Sequence, residues 1–341
     1  MNHTLRSKTK TQEFTIDLFR TEDAPGIARL FRETYGEGYP IKTYYLPDRL
    51  IEENGAGRII SWVARVHSGE VIAHDALVLL DPDSHLYENA AGAVLPAFRG
   101  RGIFPPLFKD CVFKSSERCR VDGVVGEPVC NHTHLQKMCR ELGFRESGLE
   151  IDLMPEAAYV SQPEGSNRVS VLMGFFMLKS GSLAVNIPVT YRDELEYIYL
   201  GLGLERTFEL SREGLPSEGT TLGTMETFEF AQVARIRIDR IGADFEAFVA
   251  RLERGARENS AGIFQVWLPL ASSFISAATD ALRANGYFLG GILPGLRNGD
   301  CLLMQKATLE PDWERILLYS ERALKIGEMI RRDWQHVRQE P

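Results

Sequence analysis

Two apolar periods alternate along the chain, and the switches between them outline its elements. Ile27, Leu30, Phe31 and Tyr35 recur at helical spacing, so Thr21 to Tyr35 reads as a helix, capped by Thr21, with Glu22 and Asp23 in its first turn and Pro25 tolerated early. Leu46 to Glu53 reads as a second helix. Arg58 to Val66 and Val71 to Leu80 are apolar strands joined by the turn His67-Ser68-Gly69-Glu70. Leu86 to Leu95 is a third strand with a small middle, Ala90-Ala91-Gly92-Ala93. A helix then carries Phe104, Leu107, Phe108, Cys111, Val112 and Ser115 on one face. Pro105 and Pro106 fit only in its first turn, where backbone N–H groups lack partners anyway. Val121 to Glu127 is a strand. Asn131 caps a helix whose apolar face is Leu135, Met138, Cys139 and Leu142, Gly143 ends it, and Phe144 to Met154 supplies one or two strands.

The second half repeats this pattern. Pro128 is followed fifteen residues later by Gly143, Pro188 fifteen later by Gly203, and Pro269 seventeen later by Gly286. Each unit reads as strand, Pro, helix, Gly, strand. From Leu183 to Lys306 the order is strand, helix, several strands around Thr224 to Ile238, helix, strand, helix and two strands, and an amphipathic helix spans Trp313 to Val337. The expected organisation is a flexible segment 1–12, a domain 13–155, a linker 156–168, a second domain 169–308 and a C-terminal helix within 309–341.

Composition narrows the class. The 341 residues carry a net charge of −8, which gives no general attraction to nucleic acid or anionic lipid. The polar segment Met1 to Gln12 lacks the apolar core of a signal peptide, and the longest apolar run, Val169 to Leu178, is ten residues. The expectation is a soluble, cytoplasmic protein. The five cysteines fit neither zinc-ribbon nor disulfide spacing. His132 and His134 have no Cys, Asp or Glu spaced to complete a ligand set, so no metal is expected.

The informative segment is Val94-Leu95-Pro96-Ala97-Phe98-Arg99-Gly100-Arg101-Gly102-Ile103. A strand ends, two glycines permit a tight turn, and a helix begins. Backbone N–H groups there, with the positive end of the helix dipole behind them, suit a phosphate or pyrophosphate. Arg99 and Arg101 add local positive charge. Pro105 stands where a dinucleotide fingerprint needs its third glycine, and the Gly-Lys-Ser/Thr ending of a P-loop is absent.

This segment resembles the acetyl-CoA-binding motif of the GNAT N-acetyltransferase superfamily, Arg/Gln-x-x-Gly-x-Gly/Ala after a Val-x-Pro strand end. Asn131 opening a helix that closes with Glu141-Leu142-Gly143-Phe144 resembles that superfamily's second signature. The resemblance covers about Glu13 to Met154. It implies an α+β (mixed α/β) fold of tandem GNAT-like domains, each a mainly antiparallel twisted sheet flanked by helices, the second domain degenerate. It implies acetyl-CoA as co-substrate. The backbone of Val94 and Leu95 would pair with the pantetheine arm, Arg99, Gly100, Arg101, Gly102, Ile103 and Phe104 would cradle the pyrophosphate, and Asn131 would lie near the cofactor. Phe104 departs from the small residue of the pattern.

Acyl transfer to an amine needs a base, a polarised thioester and a proton for the departing thiolate. Glu88, eleven residues before Arg99, is the leading base candidate by that resemblance, with Glu127 second and His134 third. Many members place a Tyr four residues before the Gly of Leu-Gly-Phe; here that position is Cys139, a candidate acid whose other reading is core packing. Tyr35, Glu37 and Tyr39, with Tyr44 and Tyr45, would line the acceptor pocket. The second half reads Ile238-Asp239-Arg240-Ile241-Gly242-Ala243-Asp244 at the equivalent turn, a poor cradle, and Tyr199, at the position corresponding to Cys139, is expected to have a structural role. The leading expectation is an N-acetyltransferase acting in a ternary complex on a small-molecule or protein amine. The alternative is a non-catalytic acyl-CoA sensor, and a third reading is an interaction scaffold, a homodimer whose interface is the final helix and the degenerate domain.

Overall fold

A computed structural model of the chain describes residues 13–80, 84–156, 167–179, 181–296 and 299–339. The segment 1–12 and most of the linker expected at 156–168 lie outside the described residues. The fold is α+β, with mainly antiparallel sheets flanked by helices. Contacts divide the chain into two units, Met1–Val78 with Asn89–Arg118, and Leu79–Glu88 with Cys119–Pro341.

The first unit holds β1 (Phe14–Leu18), α1 (Ala24–Tyr35), α2 (Pro47–Gly55), β2 (Ile59–Val66), β3 (Val71–Leu79), the later part of β4 (Leu86–Val94) and α3 (Phe104–Arg118). β1 runs antiparallel to β2, and β2 to β3. Every residue of β2 is buried because both sheet faces are covered. On one face Trp62 donates its indole N–H to Ser115 of α3 (2.8 Å); on the other, His74 of β3 meets the Phe31 ring of α1 (5.6 Å).

Thr21 does not cap α1. Thr21–Asp23 forms a separate 3-10 turn, and the Arg20 amide donates to Asp23 (2.6 Å). The same Asp23 carboxylate is buried and paired with Arg65 of β2 (2.6 Å to Nε). Docking onto that arginine fixes where the helix starts.

The second unit contains β5 (Gly123–Gly126), α4 (His134–Glu141), β6 (Arg145–Pro155), β7 (Arg168–Met177), β8 (Leu183–Pro188), α5 (Arg192–Leu202) and β9 (Arg206–Ser211). They are followed by β10 (Leu222–Phe228), β11 (Val233–Arg240), α6 (Phe245–Glu258), β12 (Ile263–Pro269), α7 (Ile275–Ala284), β13 (Phe288–Leu296), β14 (Gly299–Ala307) and α8 (Glu321–Gln339). Its strands follow the order β5-β7-β6-β13-β14-β12-β11-β10, and β8 and β9 form a separate parallel pair. The three Pro-helix-Gly units stand as read: Gly143, Gly203 and Gly286 each take positive φ (98°, 66° and 86°) where a helix turns back into a strand.

β7 pairs antiparallel with both β5 and β6, so residues 156–168 connect neighbouring strands of one sheet. The apolar run beginning at Val169 is apolar because its strand is an inner one. Further along, β6 meets β13 at Gly148 opposite Gly291, where a Cβ on Gly148 would sit 2.5 Å from the Gly290 carbonyl oxygen. Beside this contact the buried Gln305 side chain bridges the strands, accepting from Ile151 N–H (2.8 Å) and donating to the Leu149 and Leu289 carbonyls (2.8 and 3.1 Å).

The C-terminal helix starts later than its apolar pattern suggests, at Glu321. Before it Trp313–Arg315 forms a separate 3-10 turn, after which Leu317 N–H donates to Cys130 O (2.8 Å) and Tyr319 N–H to Gln136 Oε1 (3.0 Å). Among the described residues no helix is long and apolar enough to cross a membrane.

Candidate active site

The turn after β4 has the predicted shape. Pro96–Phe98 is a single 3-10 turn, Gly100 and Gly102 take φ of 73° and 72°, and α3 begins at Phe104. Buried Ile103 anchors the turn, while Gly100, Arg101 and Gly102 are exposed. Among the described residues the amides of Gly102 and Ile103 meet no hydrogen-bond acceptor. No atom lies within 4 Å of the Cβ positions of Gly100 or Gly102, so this side of the turn is open. Arg99 donates to Val94 O (3.2 Å) and Arg101 to Ala97 O (2.8 Å), with the Arg101 guanidinium over the Phe98 ring (4.9 Å). These exposed bonds fold both cations onto the turn they electrify.

The corresponding turn after β11 is closed. Gly242 N–H donates to Thr221 Oγ1 (3.1 Å), Ala243 N–H to Gly219 O (2.9 Å), and Asp244 accepts from Thr221 N–H (2.6 Å). A Cβ on Gly242 would lie 2.4 Å from the Thr221 amide. The second turn spends its donors internally, where the first leaves them open. Tyr199 is buried and donates to Asp300 (2.8 Å), the structural role expected for it.

Behind the first turn, β4 is kinked. Ala91 takes φ 59°, a left-handed conformation that a residue with a Cβ adopts at a cost. Its carbonyl accepts from Nδ1–H of His74 (2.9 Å), whose Nε2 accepts from the Ser61 hydroxyl (3.0 Å). Asn54 in turn holds both the Ser61 amide (2.9 Å) and its hydroxyl (3.2 Å). Burial pushes His74 down to about 4, so the ring is neutral at pH 7. Next to Ala91, Gly92 O accepts from the Tyr35 hydroxyl (3.3 Å). Tyr35 is raised by burial, against the nearby charge of Arg99, with Tyr45 adding to the rise. Nothing in the sequence reading singled out His74 or the kink.

Several predicted residues take other roles. The Leu95 amide donates to Ile72 O (2.9 Å), and Val94 O is taken by Arg99, so Leu95 N–H is not available to a pantetheine arm. Asn131 does not cap a helix, since α4 starts at His134 with Thr133 at the cap position; its Oδ1 is buried without a hydrogen-bond partner. Cys139 is buried, its sulfur 3.6 Å from the Cβ position of Gly126. Tyr35, Tyr39, Tyr44 and Phe31 form one aromatic cluster, with Phe31 stacked on Tyr44 at 4.6 Å and Tyr35 to Tyr39 at 5.0 Å. Glu37 is exposed and meets Arg32 at 3.7 Å. His134 is likewise exposed, its ring 5.4 Å from that of His132.

The two leading base candidates come together in the second unit. Glu88, on the first residues of β4, and Glu127, just past β5, share a cluster with Glu150 of β6 and Arg235 of β11. Arg235 donates to Glu150 (3.1 Å) and to Gln265 of β12 (2.8 Å), and Gln265 donates to Glu150 (2.5 Å). Burial raises Glu88 to about 7, with Arg235 opposing and Glu150 adding. Burial also lifts Glu127 well above the carboxylate range, reinforced by the charges of Glu150 and Glu88 and by a shared hydrogen bond with Glu150, and opposed by Arg235. A cavity of about 20 Å³, room for about one water, is lined by Glu127, Arg235, Arg237 and Trp267 among others. Two neighbouring carboxyls, both raised by burial, can take and give a proton. Glu150, Arg235 and Gln265 went unread in the sequence; a charged or amide residue inside an apolar strand, as in Leu149-Glu150-Ile151, was the available signal.

Among the described residues no group of three or more His, Cys, Asp or Glu could hold a metal ion.

No family model matches the sequence, and no curated protein matches it. Among solved structures the chain is similar to a spermidine/spermine N-acetyltransferase from Vibrio cholerae (13% identity, 49% of this chain and 94% of that one, TM-score 0.38). It is also similar to a ribosomal-protein-alanine N-acetyltransferase from Brucella melitensis (16%, 48% and 99%, 0.39) and an N-acetyltransferase from Staphylococcus aureus (15%, 49% and 99%, 0.39). At these TM-scores the likeness carries no functional inference, and the residues above stand by themselves.

Proposed function

We propose that the chain is an acyl-CoA-dependent N-acyltransferase that moves an acetyl group from acetyl-CoA to a primary amine. The observation that carries this reading is the contrast between the two turns. The first keeps the Gly102 and Ile103 amides uncommitted at the start of α3 with two arginines beside them, whereas the second has closed on itself. The open amides and the two arginines of this turn therefore fit a diphosphate.

Proton handling is assigned to the carboxylate cluster. Glu88, poised near neutral pH, takes the proton of the ammonium so that the amine lone pair can attack the thioester carbon. The carbon–sulfur bond breaks, the nitrogen gives up its second proton, and the departing thiolate takes a proton from Glu127, whose carboxyl burial raises well above the ordinary range and which that second proton restores. Cys139 has no part in this scheme. Tyr35, Tyr39 and Glu37 remain the proposed lining of the acceptor pocket, and their aromatic packing supplies its rigidity.

One observation favours the non-catalytic alternative, a protein that binds acyl-CoA without turning it over: the bulky Phe104 stands where the pattern has a small residue, and its ring rests on Gly92. Release of free thiol from acetyl-CoA with a panel of primary amines separates the two. Release that disappears in Glu88→Gln while acetyl-CoA still binds supports the enzyme; binding without release from any amine supports the sensor.

A further inference from the structure

A polar row crosses the sheet of the second unit. Glu226 of β10 lies opposite Arg235 of β11, Arg235 beside Gln265 of β12, and Gln265 opposite Gln305 of β14. The two glutamines are completely or almost completely buried, Gln265 in a strand that is otherwise apolar. Side chains continue the row to β6: Gln305 bonds the backbone on both sides of Glu150, and Gln265 and Arg235 both bond Glu150 Oε1. Burying so many polar groups is unfavourable unless each is satisfied, and hydrophobic residues would hold the same strands together. The row therefore asks for a reason other than stability.

Its endpoint supplies one. Glu150 is fully buried beside Glu127, and its second oxygen, Oε2, has no hydrogen-bond partner. Arg235 is the cation whose charge both Glu88 and Glu127 feel. We propose that Arg235, supplied by the half of the chain that has no open turn, is a positioning residue of the carboxylate site, fixing Glu150 and setting the charge balance under which Glu88 and Glu127 exchange protons. This rests on the acyl-transfer reading and gives the degenerate half a task in it. The charged groups around the cluster are Glu88, Glu127, Glu150 and Glu226 against Arg235, with Arg237 lining the adjoining cavity.

The test reads the carboxyls directly and needs no acetyl-CoA. In protein with 13C-labelled glutamate carboxyls, the resonance that titrates near pH 7 and vanishes in Glu88→Gln reports Glu88. Its midpoint should rise by about one pH unit in Arg235→Met, stay near the wild-type value in Arg235→Lys, and fall in Glu150→Gln, which removes a like charge while keeping the shape. Should Arg235→Met not fold, the fall in Glu150→Gln and the constancy in Arg235→Lys decide the matter. A midpoint that does not move in any folded variant overturns the proposal, even if acetyl-CoA binds. Loss of acetyl-CoA binding with these shifts intact would instead defeat the transferase reading alone.

Discussion

The ring of Phe104, the first residue of α3, lies flat enough on Gly92 of β4 that a Cβ on that glycine would stand 2.7 Å from both Cε2 and Cζ of the ring. Glycine at 92 is thus the partner of an aromatic at 104. The helix that carries the open turn is seated on the kinked strand through this pair. Gly92→Ala should destabilise the protein by about 1–3 kcal/mol, the usual effect of overpacking. In a Phe104→Ala background the same change should cost almost nothing. Urea unfolding of the two single variants and the double variant measures the coupling, and additive effects would mean that the ring does not rest there.

The buried histidine makes stability depend on pH. His74 stays neutral in the fold down to about pH 4, whereas in the unfolded chain it takes a proton near 6.5. Between those values the unfolded state binds more protons, so stability falls as the pH falls. The loss should approach about 3 kcal/mol between pH 7 and pH 4, from the size of the shift. Denaturant curves across this range, compared with those of His74→Gln, check it; a variant with the same acid slope as the parent would remove His74 as the cause.

Glu88 has the opposite sign. Its carboxyl is raised to about 7, so the contribution of its neutral form is complete below pH 4.5 and is lost as the pH rises toward 7. Melting temperatures of the parent should therefore decline relative to Glu88→Gln between pH 5 and pH 8, by a few degrees. Thiol release should rise over the same interval, as the base loses its proton. A rate that is flat from pH 6 to pH 8 would assign the base elsewhere.

Most of the local architecture was legible because glycine and proline mark it. The units ending in Gly143, Gly203 and Gly286 were readable since a left-handed residue must end each helix, and the turn at Gly100 and Gly102 for the same backbone reason. Helix starts were harder. Thr21 and Asn131 are good caps by composition, yet a buried pairing of Asp23 with Arg65 decides the first, and α4 opens after Thr133. The carboxylate cluster was half legible. Glu88 and Glu127 stand at strand positions a resemblance could indicate, but Arg235 and Gln265 reach Glu150 across 85 and 115 residues of sequence. Nothing local encodes such a pairing. The kink at Ala91 was hidden for a similar reason, because its stabilising partner His74 lies on the neighbouring strand.

Calorimetric titration of the intact protein with acetyl-CoA tests the central claim most directly. The account predicts saturable heat from the parent and at least about tenfold weaker binding in Gly102→Val, whose branched side chain resists the positive φ that keeps the amides presented. Gly242→Ala, in the closed second turn, should leave the affinity of any folded protein unchanged. No binding by the parent, or equal binding by Gly102→Val, would contradict it.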